Sequence, residues 1–469
     1  MKKIIFCFSL LLVQVIFAQI VLTPFTADIP SSSFTSSLDA FGNEIVVSAN
    51  YPLDISQRRV FVFEKNGNII SQETFFTPYD VAPYDSFGDN ISINNDFIAA
   101  SSRLNDQVAS NAGAVYMYRK VDGDWTFFQK ITAFDGVADD YFGSDVKVIG
   151  NQLFVSAINN EPIGQPTSTN SGAVYVYHFD GASWIYSQKI TISGSYQFGI
   201  KMRVSDSKLV VASASSFGTA YLHTYHYNAN TWNFSSSITP VNPINESISD
   251  FDLDNNQLFI LPFNAMASSI YVYDDIANNW SLNTTITPLN YNEKMATNFK
   301  VKNDIMFVSL NFHALLYTSK TPVSVYRKIN DNWTFQELIY GEGPFEQEDA
   351  FGTQIAITDD IVVIGAPTEQ LPSAFSGRAY TFDVTLGINE NTLNDLKAYP
   401  NPTSHLVHLT SNLAENISTI GIYQLDGKLM KTINYLQSPI SFKEFQNGVY
   451  LLKVTMANGS YTCKRIVKI

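Results

Sequence analysis

The chain has 469 residues, a formal net charge of −14, 14 % aromatic residues and only 15 % charged ones. The length exceeds one ordinary domain, and the abundance of Tyr and Phe favours strands over helices. The acidic balance argues against a nucleic-acid partner, which needs basic patches to neutralise phosphate.

In chain order, the first feature is Met1-Lys2-Lys3 followed by an apolar run from Ile4 to Ala18. Two lysines, a short apolar core and a small residue at Ala18 predict a secretory signal peptide over residues 1–18, cut before Gln19. The run is too short to span a bilayer comfortably, and no later stretch is apolar and long enough to do so. Cys7 leaves with the signal. Cys463 then stands alone, so no disulfide within the chain is expected and stability must come from packing and strand pairing.

From Phe34 a repeat begins. All five tryptophans, Trp125, Trp184, Trp232, Trp280 and Trp333, follow a short polar turn and precede a strand-like run, at a period of roughly 50 residues, as in propeller blades. One unit reads as four strands. Phe87 to Ile93 is the first and Phe97 to Ser101 the second. After a variable loop, Ala114 to Tyr118 is the third and Trp125 to Ile131 the fourth. Alternation broken at short intervals by Gly, Asn and Asp is a hairpin pattern. Seven units start at Phe34, Phe87, Phe142, Phe198, Ser247, Met295 and Phe351, and most second strands end in small residues such as Ser48-Ala49, Ser101-Ser102 and Ser156-Ala157. The seventh lacks a fourth strand. Leu22-Thr23-Pro24 matches the fourth-strand ends Phe76-Thr77-Pro78 and Ile238-Thr239-Pro240, so the start of the mature chain is expected to complete the last unit.

Phe-Gly at the start, a Gly-Ala-Pro-like end to the second strand (Gly365-Ala366-Pro367), then Gly-Ala-Val-Tyr and a Trp strand resemble the FG-GAP repeat of the integrin alpha-subunit propeller and its bacterial relatives. The match covers roughly residues 31 to 384. The resemblance implies an all-β fold with a seven-bladed β-propeller over residues 19–385. Calcium-binding members of that family carry an Asp-rich loop between the first two strands. Here it has shrunk to turns such as Asn94-Asn95-Asp96 and Thr358-Asp359-Asp360. Asp250, Asp252 and Asp254 have no closing acidic residue downstream. No metal site and no cofactor are therefore expected, calcium being the one ion the family brings to mind.

From about Asn389 the pattern changes, after a linker over 386–396. Tyr399-Pro400-Asn401-Pro402, an Asp-Gly-Lys turn at Gly427, Asn447-Gly448-Val449-Tyr450 and the terminal run from Lys464 and Arg465 to Ile469 predict short alternating strands in a small C-terminal β-sandwich over 397–469. These residues resemble the C-terminal sorting domain of type IX secretion substrates. That resemblance implies a sorting signal at these positions, the type IX machinery as a partner, passage across the outer membrane, and a secreted or surface-attached protein.

Nucleophile, phosphate-loop and zinc-protease motifs are missing from the sequence. His223 and His226 lie three apart on a predicted strand and read as solvated. Acidic residues precede the Phe-Gly starts: Asp80 and Asp85; Asp135, Asp139 and Asp140; and Glu346, Glu348 and Asp349. They either shape the turn by accepting backbone hydrogen bonds or bind a ligand together with Arg103 and Asn105 in the long loop of the second unit. The expectation is a binding or adhesion protein with no catalytic residues, contacting an extracellular protein or glycan through its loops. The alternative is a propeller hydrolase or lyase acting on polysaccharide or protein.

Overall fold

A computed structural model describes the chain apart from residues 1–21, 28–33, 50–57, 81, 83, 162–169, 215–220, 239–246, 264–268, 287–295, 311–321, 330, 343–349, 372–373, 376, 385–396, 411–416, 425–428, 435–438 and 457–460. It is all-β and divides into two compact units, Met1–Val384 and Thr385–Ile469.

Among the described residues the first unit has seven four-stranded antiparallel sheets, numbered one to seven along the chain. Their first strands are Phe34–Phe41, Phe87–Ile93, Phe142–Ile149, Tyr196–Val204, Ser247–Asp254, Ala296–Lys302 and Gln354–Ile357. Sheets one to six are simple meanders. Sheet seven takes its fourth strand from the other end of the unit. Thr23–Phe25 pairs with Arg378–Asp383, Pro24 lying opposite Tyr380, and Phe25 buries its ring edge-on against Phe34 and Phe63 of sheet one. Each first strand packs against the first strand of the next sheet, and that of sheet seven packs against that of sheet one. Residues from all seven first strands line one cavity of about 710 Å³.

The repeat's sequence marks have local physical causes. The first strands of sheets one to six open with a register shift, as between Phe87 and Ile91 or Phe142 and Val146. The shift leaves a backbone N–H without a ladder partner. The serine near the end of the second strand takes it: Ser48 Oγ accepts from Ser37 N at 2.9 Å, Ser101 Oγ from Asn90 N at 3.0 Å and Ser156 Oγ from Asp145 N at 2.8 Å. These serines must also be small, because the next sheet's Phe-Gly glycine lies against them. Gly199 has φ +100°, and a Cβ there would sit 2.6 Å from Ser156 Cβ. Only glycine tolerates both the backbone angle and the approach.

Side chains of the first strands supply one recurring set of hydrogen bonds between sheets. Asp39 Oδ2 accepts Ile93 N at 3.0 Å, Asp145 Oδ2 accepts Met202 N at 2.6 Å, and Asp250 and Asp252 accept Phe299 N and Val301 N at 3.1 and 3.0 Å. Thr358 Oγ1 donates to Gly42 O at 3.0 Å, and Lys65 pairs with Asp383, joining sheets seven and one. Exposed N–H groups on an inner edge strand are thereby satisfied without a continuous ladder.

The tryptophans cover the second strand of the preceding sheet. Trp184 lies edge-on to Phe97, Trp232 to Phe154 and Trp333 to Phe259. Trp125 Nε1 donates to Glu44 at 3.0 Å, and Lys208 sits over the Trp280 ring. The rings lie over the neighbour's second strand and not its outer edge, because a fourth strand beginning at the hairpin turn is level with the start of that strand. Buried clusters consequently mix residues from adjacent sheets, as Phe97 and Met117 do with Val146 and Tyr175. Burying each such large side chain is worth about 1.5–3 kcal/mol.

The second unit has a three-stranded sheet, containing Lys397–Tyr399, Leu406–Thr410 and Ile440–Ser441, and a four-stranded one, containing Ile417–Gln424, Leu429–Asn434, Gly448–Met456 and Tyr461–Lys468. They share one core, in which Val407, Leu409 and Ile440 meet Ile420, Leu452 and Ile466.

Candidate functional site

The loops that follow the second strands of sheets two and three are built on the same frame. Asp85 is buried, and its Oδ2 accepts Ala82 N at 3.0 Å and Asn105 Nδ2 at 2.7 Å. The Asn105 carbonyl then receives Gly113 N at 3.0 Å, tying the end of the loop to its start. In sheet three Asp140 Oδ2 accepts Val137 N at 2.9 Å and Asn160 Nδ2 at 2.8 Å, and the Asn160 carbonyl receives Gly172 N. Burial pushes both carboxyls above their usual range, against the pull of the bonds they accept. The two aspartates thus hold turns.

Asp139 is exposed and accepts Asn111 Nδ2 at 2.7 Å, joining the end of the sheet-two loop to the start of sheet three. Arg103 pairs with Asp89 at 2.9 Å, and its guanidinium lies 5.9 Å from the Tyr141 ring centre. The structure therefore brings Asp85 to Asn105 and Asp139 to Asn111, and sends Arg103 to Asp89. Glu348 and Asp349 lie outside the described residues.

Sequence reading missed Asn160 and Asp89. It also missed a second recurring arrangement, in which Tyr116 Oη and Lys130 Nζ bond Asp80 at 2.9 and 2.7 Å while Tyr175 Oη and Lys189 Nζ bond Asp135 at 2.6 and 2.7 Å. The signal was available, since each member recurs in register between the second and third units.

His223 is not solvated as its strand position suggested. It is 6 % exposed, its ring nitrogens lie 2.8 Å from the hydroxyls of Ser213 and Ser237, and burial pushes its pKa down to about 4. Strand alternation implies a wet face, but a sheet packed between two neighbours has none at that point. His226 meets Asp275 at 3.1 Å.

The turns that replace the family's calcium loop use their oxygens locally. Asn94 Oδ1 accepts Asp96 N and Phe97 N, and Thr358 Oγ1 accepts Asp360 N and Ile361 N. Asp250 and Asp252 lie on the first strand of sheet five, Ser247–Asp254, and tie that sheet to sheet six. Among the described residues no group of three or more His, Cys, Asp or Glu side chains is placed to hold a metal ion.

In the second unit, Tyr399 stacks on His408 and the Tyr399–Pro400 and Asn401–Pro402 peptides are cis. Asn401 Oδ1 accepts Val467 N at 2.8 Å, so the Pro-Asn-Pro opening is stitched to the last strand. That strand carries Lys464 and Arg465 and pairs with the one opening at Gly448, which faces Lys468. Gly427 lies outside the described residues, as does the side chain of Arg465. Among the described residues no helix is long and apolar enough to cross a membrane.

Comparison with known proteins agrees with this division. The FG-GAP repeat family matches residues 70–118, 125–177 and 345–382, and the secretion system C-terminal sorting domain matches residues 397–468. No curated protein sequence matches the chain. Among solved structures, a provisionally assigned 6-phosphogluconolactonase from Bacteroides fragilis NCTC 9343 has a TM-score of 0.45 at 10 % identity, covering 76 % of this chain and 94 % of its own. Sqt1 of Saccharomyces cerevisiae has a TM-score of 0.43 at 8 % identity, covering 94 % and 98 %. Neither likeness bears on chemistry. The chain carries FG-GAP repeats and a C-terminal sorting domain that engages the type IX secretion machinery and directs the protein to the cell surface or the extracellular space.

Proposed function

We propose that residues 19–385 form a closed seven-bladed propeller and that this propeller is a binding or adhesion module, not an enzyme. A signal peptide (1–18) precedes it, and a linker (386–396) leads to the sorting domain (397–469). Its contact face is the loop frame of sheets two and three, and its ligand is an extracellular protein or glycan. Support for closure comes from the return of first-strand packing to sheet one, the shared cavity and the strand Thr23–Phe25.

The observation that carries the binding reading is the doubled frame of Asp85–Asn105 and Asp140–Asn160. It holds the sheet-two loop fixed while leaving Tyr84 69 % exposed and Val108 and Arg103 also open to solvent. Rigid presentation of a variable loop limits the entropy lost on binding. The exposed Asp139 borders the same face in this reading.

The test is a glycan and protein array probed with the mature chain, followed by Tyr84→Ala and Arg103→Ala. Each change should weaken capture of a ligand found this way by about tenfold. Capture unaffected by both changes, or turnover of the captured molecule, would overturn the reading.

A further inference from the structure

The cavity bordered by all seven first strands lies apart from the loop frame and has its own chemistry. Its volume, about 710 Å³, falls inside the range of roughly 300–1,000 Å³ found for small-molecule sites. In a chain of net charge −14, its lining gathers Lys147 from sheet three, Lys201 and Arg203 from sheet four, and Lys300 and Lys302 from sheet six.

Four carboxylates, Asp39, Asp145, Asp252 and Asp254, line the cavity as well, with Asp250 beside them. Asp39 accepts Ile93 N on one oxygen and Ala40 N on the other, and Asp254 accepts Asn303 N and Asn255 Nδ2 on one oxygen. Asp145 accepts Met202 N on one oxygen and meets Lys147 at 3.2 Å on the other. Asp250 accepts Phe299 N on one oxygen, and its other meets Lys201 at 2.5 Å and Arg203 at 3.4 Å. Asp252 accepts Val301 N on one oxygen, and its other takes Arg203 Nε at 2.9 Å and Lys300 at 3.4 Å. Their first task is to satisfy the neighbouring strand.

The ammonium groups are in the reverse position. Each has three donors. Lys147 and Lys300 meet carboxylate only at 3.2 and 3.4 Å, longer than the roughly 2.7–2.9 Å of a good charge-assisted bond. The Lys300 side chain keeps 21 % of its surface exposed. The cluster therefore has donors to spare and few acceptors left, which suits an anion and not a cation.

We propose that the central cavity is a binding site for a small oxyanion bearing two or more carboxylate or phosphate groups, held by Lys147, Lys201 and Lys300. Burial pushes the Lys300 amine down to about 8, with Arg203 and Lys201 adding to that effect against the pull of Asp252 and Asp250. An entering anion relieves this crowding of positive charge.

The test is calorimetric titration of the full chain at low salt with citrate and, separately, inorganic phosphate. Saturable binding of at least one is expected, and which one binds distinguishes carboxylate from phosphate recognition. Lys147→Gln and Lys300→Gln should each weaken it by about tenfold, the loss of one charge-assisted bond, whereas Lys328→Gln, beside the exposed Asp331, should leave it unchanged. If a cavity variant fails to fold, reductive methylation of the wild-type chain serves instead. The anion should protect Lys147, Lys201 and Lys300 while leaving Lys328 reactive. Absence of saturable binding by both anions, binding indifferent to the cavity lysines, or no protection of them would show that the cluster is only a self-neutralised network holding the strands.

Discussion

Replacing Trp232 by alanine separates the two roles a recurring tryptophan can have, packing and ligand stacking. The ring is 3 % exposed, lies 5.3 Å from Phe154 and 5.1 Å from Tyr227 between ring centres, and donates Nε1 to Gln152 at 2.8 Å. Gln188 holds its backbone N and O at 2.9 Å each, so the strand has little freedom to collapse into the space left behind. Truncating a buried Trp costs about 3–5 kcal/mol. A value near the middle, about 4 kcal/mol, is expected, because Gln152 is partly exposed and water can take over its lost bond. The assay is urea unfolding of the full chain followed by far-ultraviolet circular dichroism, with an unchanged slope against denaturant. A paired experiment isolates the hydrogen bond. Trp184 Nε1 has no partner among the described residues, so Trp184→Phe should cost about 1 kcal/mol less than Trp232→Phe. A Trp232→Ala protein within about 1 kcal/mol of wild type would refute the packing argument.

Four further outcomes are expected. Phe25→Ala should cost about 3–5 kcal/mol and deletion of residues 19–27 more, since the deletion also bares the edge of Arg378–Asp383; thermal unfolding measures both, and an unchanged transition would mean the strand contributes nothing. Gly199→Ala forces a Cβ to 2.6 Å from Ser156 Cβ at φ +100° and should cost about 3 kcal/mol by overpacking and backbone strain. Gly123→Ala, at φ +94° with open space around it, should cost only about 1–2 kcal/mol, and equal losses at the two sites would remove the clash from the explanation. His223 has a folded pKa of about 4 against 6.5 unfolded; the unfolded chain binds the extra proton first, so stability falls as pH drops from about 6.5 to 4, by about 3 kcal/mol in all. His223→Gln should flatten that part of the stability–pH curve, and an unaltered slope would count against a buried neutral imidazole. Deleting the chain from Asn389 onward should leave the protein in the periplasm, as judged by fractionation of the native host, and surface display of the truncated protein would contradict the role of the tail.

Much of this molecule is written in local patterns. The five in-register tryptophans, the Phe-Gly starts and the Asp-Gly and Asn-Gly turns locate the repeated strands, because hairpins are set by short-range turn chemistry and alternation. The tail is equally legible, since Tyr399-Pro400-Asn401-Pro402 and Asn447-Gly448-Val449-Tyr450 are contiguous. What partners each side chain was legible only where the partner also recurs in register. Asp85 could be suspected as a turn acceptor, but that Asn105 completes it depended on how a variable loop folds back. The roles of Asp39, Asp145, Asp250 and Asp252 were hidden altogether, because the N–H groups they accept lie about fifty residues away on the neighbouring sheet. His223 looked wet because alternation describes one sheet and not what packs on its other side. Strands, turns and the sorting tail can be read from residue order, because they depend on neighbours along the chain. The inter-sheet carboxylate ties and the lysine-lined cavity follow from the assembled fold alone, because burial and charge proximity there are set by strands that meet across sheets.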